Sequence, residues 1–218
     1  MAHNNKDHKM AVTLHKGDLP AEIDFGSAVA VDTETQGLSL VRDKLCLVQL
    51  SAGDGDAHIV QVNRQTFDCP NLRALLADTG VEKIFHFGRF DIAILSRDLG
   101  IDVTPVFCTK IASGLVRTYT DRHGLKDICR ELLGVDLSKQ QQSSDWASDE
   151  LTQAQLDYAA SDVLYLHQLK NILSARLFRE DRFDMAKACF DFLPTRAKLD
   201  LAGWHDVDIF SHRMRRSD

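Results

Sequence analysis

A chain of 218 residues, 44% hydrophobic and 27% charged, has the length and composition of one soluble domain with a full core. No apolar run approaches the roughly 20 residues of a membrane helix, and the polar start Met1–Lys9 lacks the apolar stretch of a secretory signal. With 26 Lys and Arg against 32 Asp and Glu, the net charge of −6 argues against a long basic track. Residues 1–10 read as a disordered extension or expression remnant, with Met10 as a natural start, and residues 11–218 as a single domain. Cys46, Cys69, Cys108, Cys129 and Cys189 are odd in number and form no CxxC pair. They read as core thiols of a reducing compartment, so a cytoplasmic location is expected.

In chain order, Ser27–Val31 is a short apolar run bounded by Gly26 and by polar residues, the pattern of a buried strand. Lys44–Leu50 and Ala57–Val62 repeat it, and Gly37, Gly53 and Gly55 suit hairpin turns between them. A helix near Asn71–Ala77, a buried strand at Lys83–Phe87, a helix over Phe90–Leu99 and a strand near Val106–Thr109 follow. Helices dominate from Lys110 onward. Leu151–Leu177 reads as one long helix, with Leu156, Ala159, Val163, Leu166, Leu169 and Leu173 recurring at three or four. A meander followed by alternating elements predicts an α/β fold: a mixed sheet flanked by helices, with a helical C-terminal half. The apolar residues between Phe190 and Phe210 are expected to pack on the domain's own core or on a neighbouring subunit.

Three separated places carry titratable groups in a matching context. Asp32 and Glu34 lie two apart near the end of the first strand, so both face one cleft. Asp91 falls early in the helix after Lys83–Phe87. Tyr158 and Asp162 are four apart on the long helix, on one face offset from its apolar stripe. Each has a plainer reading alone. Asp-x-Glu suits a turn and cap, Asp91 suits a cap or a surface, and Tyr158 and Asp162 suit a buried ring and a solvated acid. Together they are what a two-metal phosphodiester cleavage site needs. Two divalent ions about 3.5–4 Å apart clamp the attacking and leaving oxygens, and hard ions such as Mg²⁺ take carboxylate ligands.

The order and spacing resemble the DEDDy 3′–5′ exonucleases, which have a ribonuclease H-like fold. Asp121–Lys126 with Leu132–Val135, Ser144-Asp145-Trp146, and Tyr158–Leu166 are similar to the ribonuclease D branch, over roughly residues 25–175. Ribonuclease D carries helical nucleic-acid-binding domains after the nuclease domain, and this chain stops soon after the long helix. The short form, with Thr109–Ser113, Arg117–Lys126 and Lys139–Trp146, closely resembles the nanoRNase C family. That bacterial family degrades the last short RNA fragments, dinucleotides above all, as a ring-shaped octamer. The resemblance implies that Asp32, Glu34, Asp91 and Asp162 hold two divalent cations, Mg²⁺ or Mn²⁺. Asp32 would bridge both, Glu34 and Asp162 would complete one, and Asp91 would support the other through water. Tyr158 would orient the attacking water, and a 5′-nucleoside monophosphate would leave from the 3′ end. A phenol with an ordinary pKa near 10 suits positioning better than proton abstraction.

Thr33, between the two acids, is counted among the substrate contacts. Leu38 is a candidate wedge between the terminal bases, or a core leucine. His86 is a candidate site residue, or a satisfied core histidine. Arg117, His123 and Lys139 suit a 5′ phosphate, or are solvated charges. The net charge stays negative even with four acids masked by metal, which favours short RNA as partner. A broader 3′–5′ exonuclease trimming longer RNA or DNA is the alternative. A catalytically silent nucleic-acid-binding module would be expected to lack one or more of the four acids, and all are present. A homo-octamer with contacts near Trp204 and Phe210 is expected.

Overall fold

A computed structural model describes residues 11–138 and 140–212. Its six strands are β1 (Val12–Lys16), β2 (Ala28–Thr35), β3 (Leu45–Ser51), β4 (Ala57–Gln61), β5 (Glu82–Phe85) and β6 (Val106–Cys108). They form one sheet in the order β1-β4-β3-β2-β5-β6. β2, β3 and β4 make the antiparallel meander expected from their spacing. β1 runs parallel to β4, and β5 and β6 run parallel beside β2, so the sheet is mixed. β1 is an addition to the sequence reading. It is an edge strand with no fully buried residue, so its five residues lack the apolar run of a core strand.

The helices are α1 (Pro70–Ala77), α2 (Arg89–Leu99), α3 (Thr109–Val116), α4 (Leu125–Leu133), α5 (Gln153–Leu164), α6 (Leu166–Arg179) and α7 (Phe183–Leu199). The single helix expected over Leu151–Leu177 is two helices, broken at Tyr165. α5 starts on a full capping box, in which the Thr152 side chain accepts from the Gln155 backbone and the Gln155 side chain accepts from Thr152. It lies across β2, β3 and β4, whereas α6 packs on α3 and α4. The apolar stripe continues through the break because Ala160 and Val163 of α5 and Leu166, Leu169, Leu173 and Leu177 of α6 are buried in one core, while Leu156 and Ala159 pack in a second cluster with Trp146. α7 covers α2 and β6, and Phe190, Leu193 and Ala197 are buried there. The α7 part of the apolar C-terminal segment therefore packs on its own domain, while Trp204 and Phe210 beyond it are exposed.

Two features open the sheet where the acids lie. Pairing of β2 with β5 ends at Ala30 and Ile84, so β2 runs on to Thr35 without that neighbour. The chain then turns from β5 into α2 through His86-Phe87-Gly88. Phe87 takes a left-handed φ of 64°, and a Cβ on Gly88 would stand 2.6 Å from the Phe85 Cβ. Only glycine fits that close approach. On the other side of β5, fully buried Lys83 donates to the carbonyls of Asp78, Val81 and Thr104 at 2.6–2.7 Å. All three ammonium donors are thereby used, which fixes the two loops flanking the strand. No helix among the described residues is long and apolar enough to cross a membrane, and all five cysteines are free thiols.

Candidate active site

The pleat of β2 separates its side chains into two layers. Asp32 and Glu34 point toward α5, and in the antiparallel register they stand opposite Gln49 and Leu47. Tyr158 and Asp162 come down from α5 onto the same side. Carboxylate oxygens of Asp32, Glu34 and Asp162 all lie within 4.8 Å of one another. Asp91 arrives from the other layer, on the first turn of α2. Thr33 Oγ1 donates to its Oδ1 at 2.6 Å, and the Thr33 backbone N–H also steadies the carboxylate. Thr33 is thus buried and its hydroxyl is committed to Asp91, so that hydroxyl is not offered to a substrate.

The four acids strain against burial and against one another. Asp32 is pushed well above the carboxylate range by burial, then by repulsion from Asp91, Asp162 and Glu34. Burial, then the charges of Asp162 and Asp91, raise Glu34 to about 9. Burial, then the charge of Asp91, lifts Asp162 to about 7. Burial takes Asp91 to about 6, with the Thr33 hydrogen bonds pulling the other way. No lysine or arginine is among the groups that relieve them. An all-oxygen, electron-rich pocket with no counter-charge among the described residues is what a hard divalent cation fits. The Tyr158 phenol is raised above its ordinary value by burial, then by Asp162, Glu34 and Asp32. Its ring stacks on buried Trp146, with centroids 6.0 Å apart and planes 30° apart. Trp146 thus acts as the wall behind Tyr158. The sequence signal for it was a large aromatic just ahead of the helix that carries the tyrosine.

The other candidates separate clearly. Leu38 is 86% exposed, so the core-leucine reading is wrong. It stands beside a groove of about 380 Å³, walled also by Leu40, Val41, Phe87, Phe90 and Leu201, between the end of β2 and the start of α2. His86 is half-buried, its Nδ1 lies 2.9 Å from Thr109 Oγ1, and burial followed by nearby Lys110 and His123 takes it down to about 3. It is a neutral histidine. Arg117 is 1% exposed and spends four N–H bonds internally: Nε and Nη2 on Glu131, Nη1 on Ser113 Oγ and the Arg122 carbonyl. It is a strut between loop and helix, which corrects the expectation of a free cation for phosphate. His123 is half-buried, with Nδ1 2.9 Å from Ser113 Oγ. Lys139 lies outside the described residues.

Comparison with known proteins places the chain in a family. A family model described as 3′–5′ exonuclease matches residues 16–177. Ribonuclease D of Acidiphilium cryptum is 36% identical over 156 residues, which is 72% of this chain and 39% of that protein. The chain thus spans about two fifths of the ribonuclease D it matches. NrnC of Brucella melitensis bound to pGG superposes with a TM-score of 0.91 at 57% identity, over 94% of this chain and 100% of that one. The same protein with bound Mg²⁺ gives 0.89 at 56% identity, over 93% and 100%. Escherichia coli RNase D, at 24% identity and a TM-score of 0.70 over 79% of this chain and 45% of that one, shares the fold. The chain belongs to the ribonuclease D-like 3′–5′ exonuclease family, together with NrnC.

Proposed function

We propose that the protein is a metal-dependent 3′–5′ exoribonuclease that finishes short RNA, preferring 5′-phosphorylated diribonucleotides and releasing 5′-nucleoside monophosphates. The observation that carries this reading is the convergence of Asp32, Glu34 and Asp162 within 4.8 Å, with Tyr158 on the same helix as Asp162. Two Mg²⁺ or Mn²⁺ ions held by these acids and Asp91 would acidify the attacking water and polarise the phosphodiester. Asp32, raised by the charges of each of the other three acids, would be a central ligand of the ions that the set holds. A phenol with an ordinary pKa near 10 is protonated at neutral pH, so the Tyr158 hydroxyl orients water as a hydrogen-bond partner and leaves proton removal to other groups. Leu38, exposed beside the apolar groove, separates the two bases of a dinucleotide.

The 5′ phosphate falls to His123 and Lys139. Ser113 Oγ accepts from Arg117 Nη1 and shares a hydrogen bond with His123 Nδ1, which fixes the imidazole ring and leaves Nε2 to meet a phosphate when it carries a proton. The likeness to NrnC, whose structure with pGG matches over its full length, supports the short substrate. A homo-octamer with contacts near exposed Trp204 and Phe210, in the cytoplasm, completes the reading. The test is a time course on 5′-labelled RNAs of two to seven nucleotides with Mg²⁺ or Mn²⁺. A 5′-phosphorylated dinucleotide should be cut faster than a heptamer at equal subsaturating concentration. Removing that phosphate should slow the dinucleotide far more than the heptamer. Faster cutting of the heptamer would favour the broader exonuclease.

A further inference from the structure

We propose that Gln49 is a positioning residue for the Asp32 carboxylate, its side-chain amide forming the polar shell behind the metal-holding acids. The inference rests on the metal-site reading above. Gln49 lies in the middle of β3 and is fully buried. Its Nε2 and Oε1 both lack a hydrogen-bond partner within the protein. Burying an amide with donor and acceptor unpaired is costly. Packing does not ask for it. Leu47, two residues back on the same face, and Ile59, opposite on β4, are fully buried apolar side chains, and a leucine at 49 would continue their layer.

The register gives the reason. Gln49 stands directly opposite Asp32 in the antiparallel ladder. Side chains so opposed share one face, with Cβ atoms about 4.5–5.5 Å apart. Among the pairs that β2 and β3 make along this stretch, Glu34 opposes a leucine and Asp32 opposes the amide. A carboxylate that serves two cations must keep a fixed orientation. The Gln49 amide makes no bond to Asp32 in the metal-free chain, and its unpaired N–H turns to that carboxylate once cations are held there. Partners behind a metal ligand typically contribute about 10–100-fold to metal affinity.

The test compares wild type with Gln49→Leu, and with Gln49→Met in case the branched side chain does not fit. Mn²⁺ affinity is measured by calorimetric titration, and thermal unfolding is followed on the metal-free protein. The expected result is opposite movement: the metal-free melting temperature rises because the unpaired amide is gone, while Mn²⁺ binding weakens about 10–100-fold. Unchanged Mn²⁺ affinity in a folded variant overturns the role of Gln49 and leaves the metal site standing. Affinity lost only together with metal-free stability also overturns it, since packing then explains both. A wild-type protein that takes up no Mn²⁺ overturns the metal-site reading and this inference with it.

Discussion

Two charged clusters share helix α2, and they are built on opposite principles. Arg89, at its first residue, pairs with Asp200 through Nε at 2.5 Å and Nη2 at 2.7 Å, and Arg196 adds a bond at 2.6 Å to the same carboxylate. Burial works against the Asp200 charge, yet the two arginines outweigh it and hold the carboxyl below its ordinary value. Both arginines also bond backbone carbonyls of the C-terminal segment, so that cluster ties the wide turn at Asp200–Trp204 to the helix. Two residues further along, Asp91 belongs to four acids that lack any such partner among the described residues and whose carboxyls are all shifted up. Folding alone completes the first cluster. The second is left for ions to complete, because buried like charges are relieved only by a cation or by protons.

The largest effect should come from breaking the uncompensated cluster. Asp32→Asn or Asp162→Asn keeps side-chain volume and removes one charged ligand. Hydrolysis of RNA should fall by at least about 10³-fold, several kcal/mol of transition-state stabilisation. The metal-free melting temperature should stay level or rise, because a member of a repulsive set has lost its charge. Turnover and thermal unfolding on one sample check both parts, and near-normal turnover would remove that residue from the metal set.

Breaking the compensated cluster should do the reverse. Asp200→Asn leaves Arg89 and Arg196 without their shared counter-charge. Asp200 is buried while Arg89 and Arg196 keep part of their surface in water, so we expect a loss of about 2 kcal/mol. For a chain of this size that lowers the melting temperature by roughly 4–8 °C. Mn²⁺ affinity should change little. A variant that keeps full stability but loses metal would dissolve the distinction between the two clusters.

A smaller effect separates them by pH. In the folded, metal-free protein Glu34, Asp162 and Asp91 hold protons up to about 9, 7 and 6. The unfolded chain releases those protons near pH 4. The fold therefore binds more protons than the unfolded chain above about pH 4, and metal-free stability declines as pH rises through these values. Cations must displace the same protons. The rise in melting temperature on adding saturating Mg²⁺ should be a few degrees larger at about pH 8 than at about pH 6. Asp200 behaves oppositely. Its contribution is present above the ordinary carboxylate value and lost only as pH falls below it, so it stays constant over that window. Thermal scans of wild type with and without Mg²⁺ at both pH values test the difference.

Much of the site was legible because it depends on short-range geometry. Asp32 and Glu34 two apart on a strand, and Tyr158 and Asp162 four apart on a helix, share faces by backbone period alone. The meander was legible for the same reason, since its strands are apolar runs separated by glycine-bearing turns. β1 escaped notice because an edge strand is half exposed and is defined by its partner β4, 45 residues on in the Val12 to Ala57 pairing. Arg117 misled because a sequence cannot distinguish a solvated arginine from one whose partner, Glu131, sits a loop and a helix away. Thr33 lies between Asp32 and Glu34, but its hydroxyl turns to Asp91, which no local pattern announces.

The sequence by itself determined the ligand types, their local faces and a sheet flanked by helices. These follow from side-chain chemistry and from the fixed periods of strand and helix. The tertiary structure decided that acids on β2, α2 and α5 meet, that Thr33 serves Asp91, that Leu38 stays exposed, and that one arginine cluster is neutralised while the acids are not. Those outcomes depend on which elements become neighbours and on where β2 parts from β5. Contacts between residues far apart in the chain are set by packing of the whole core, which no local period encodes.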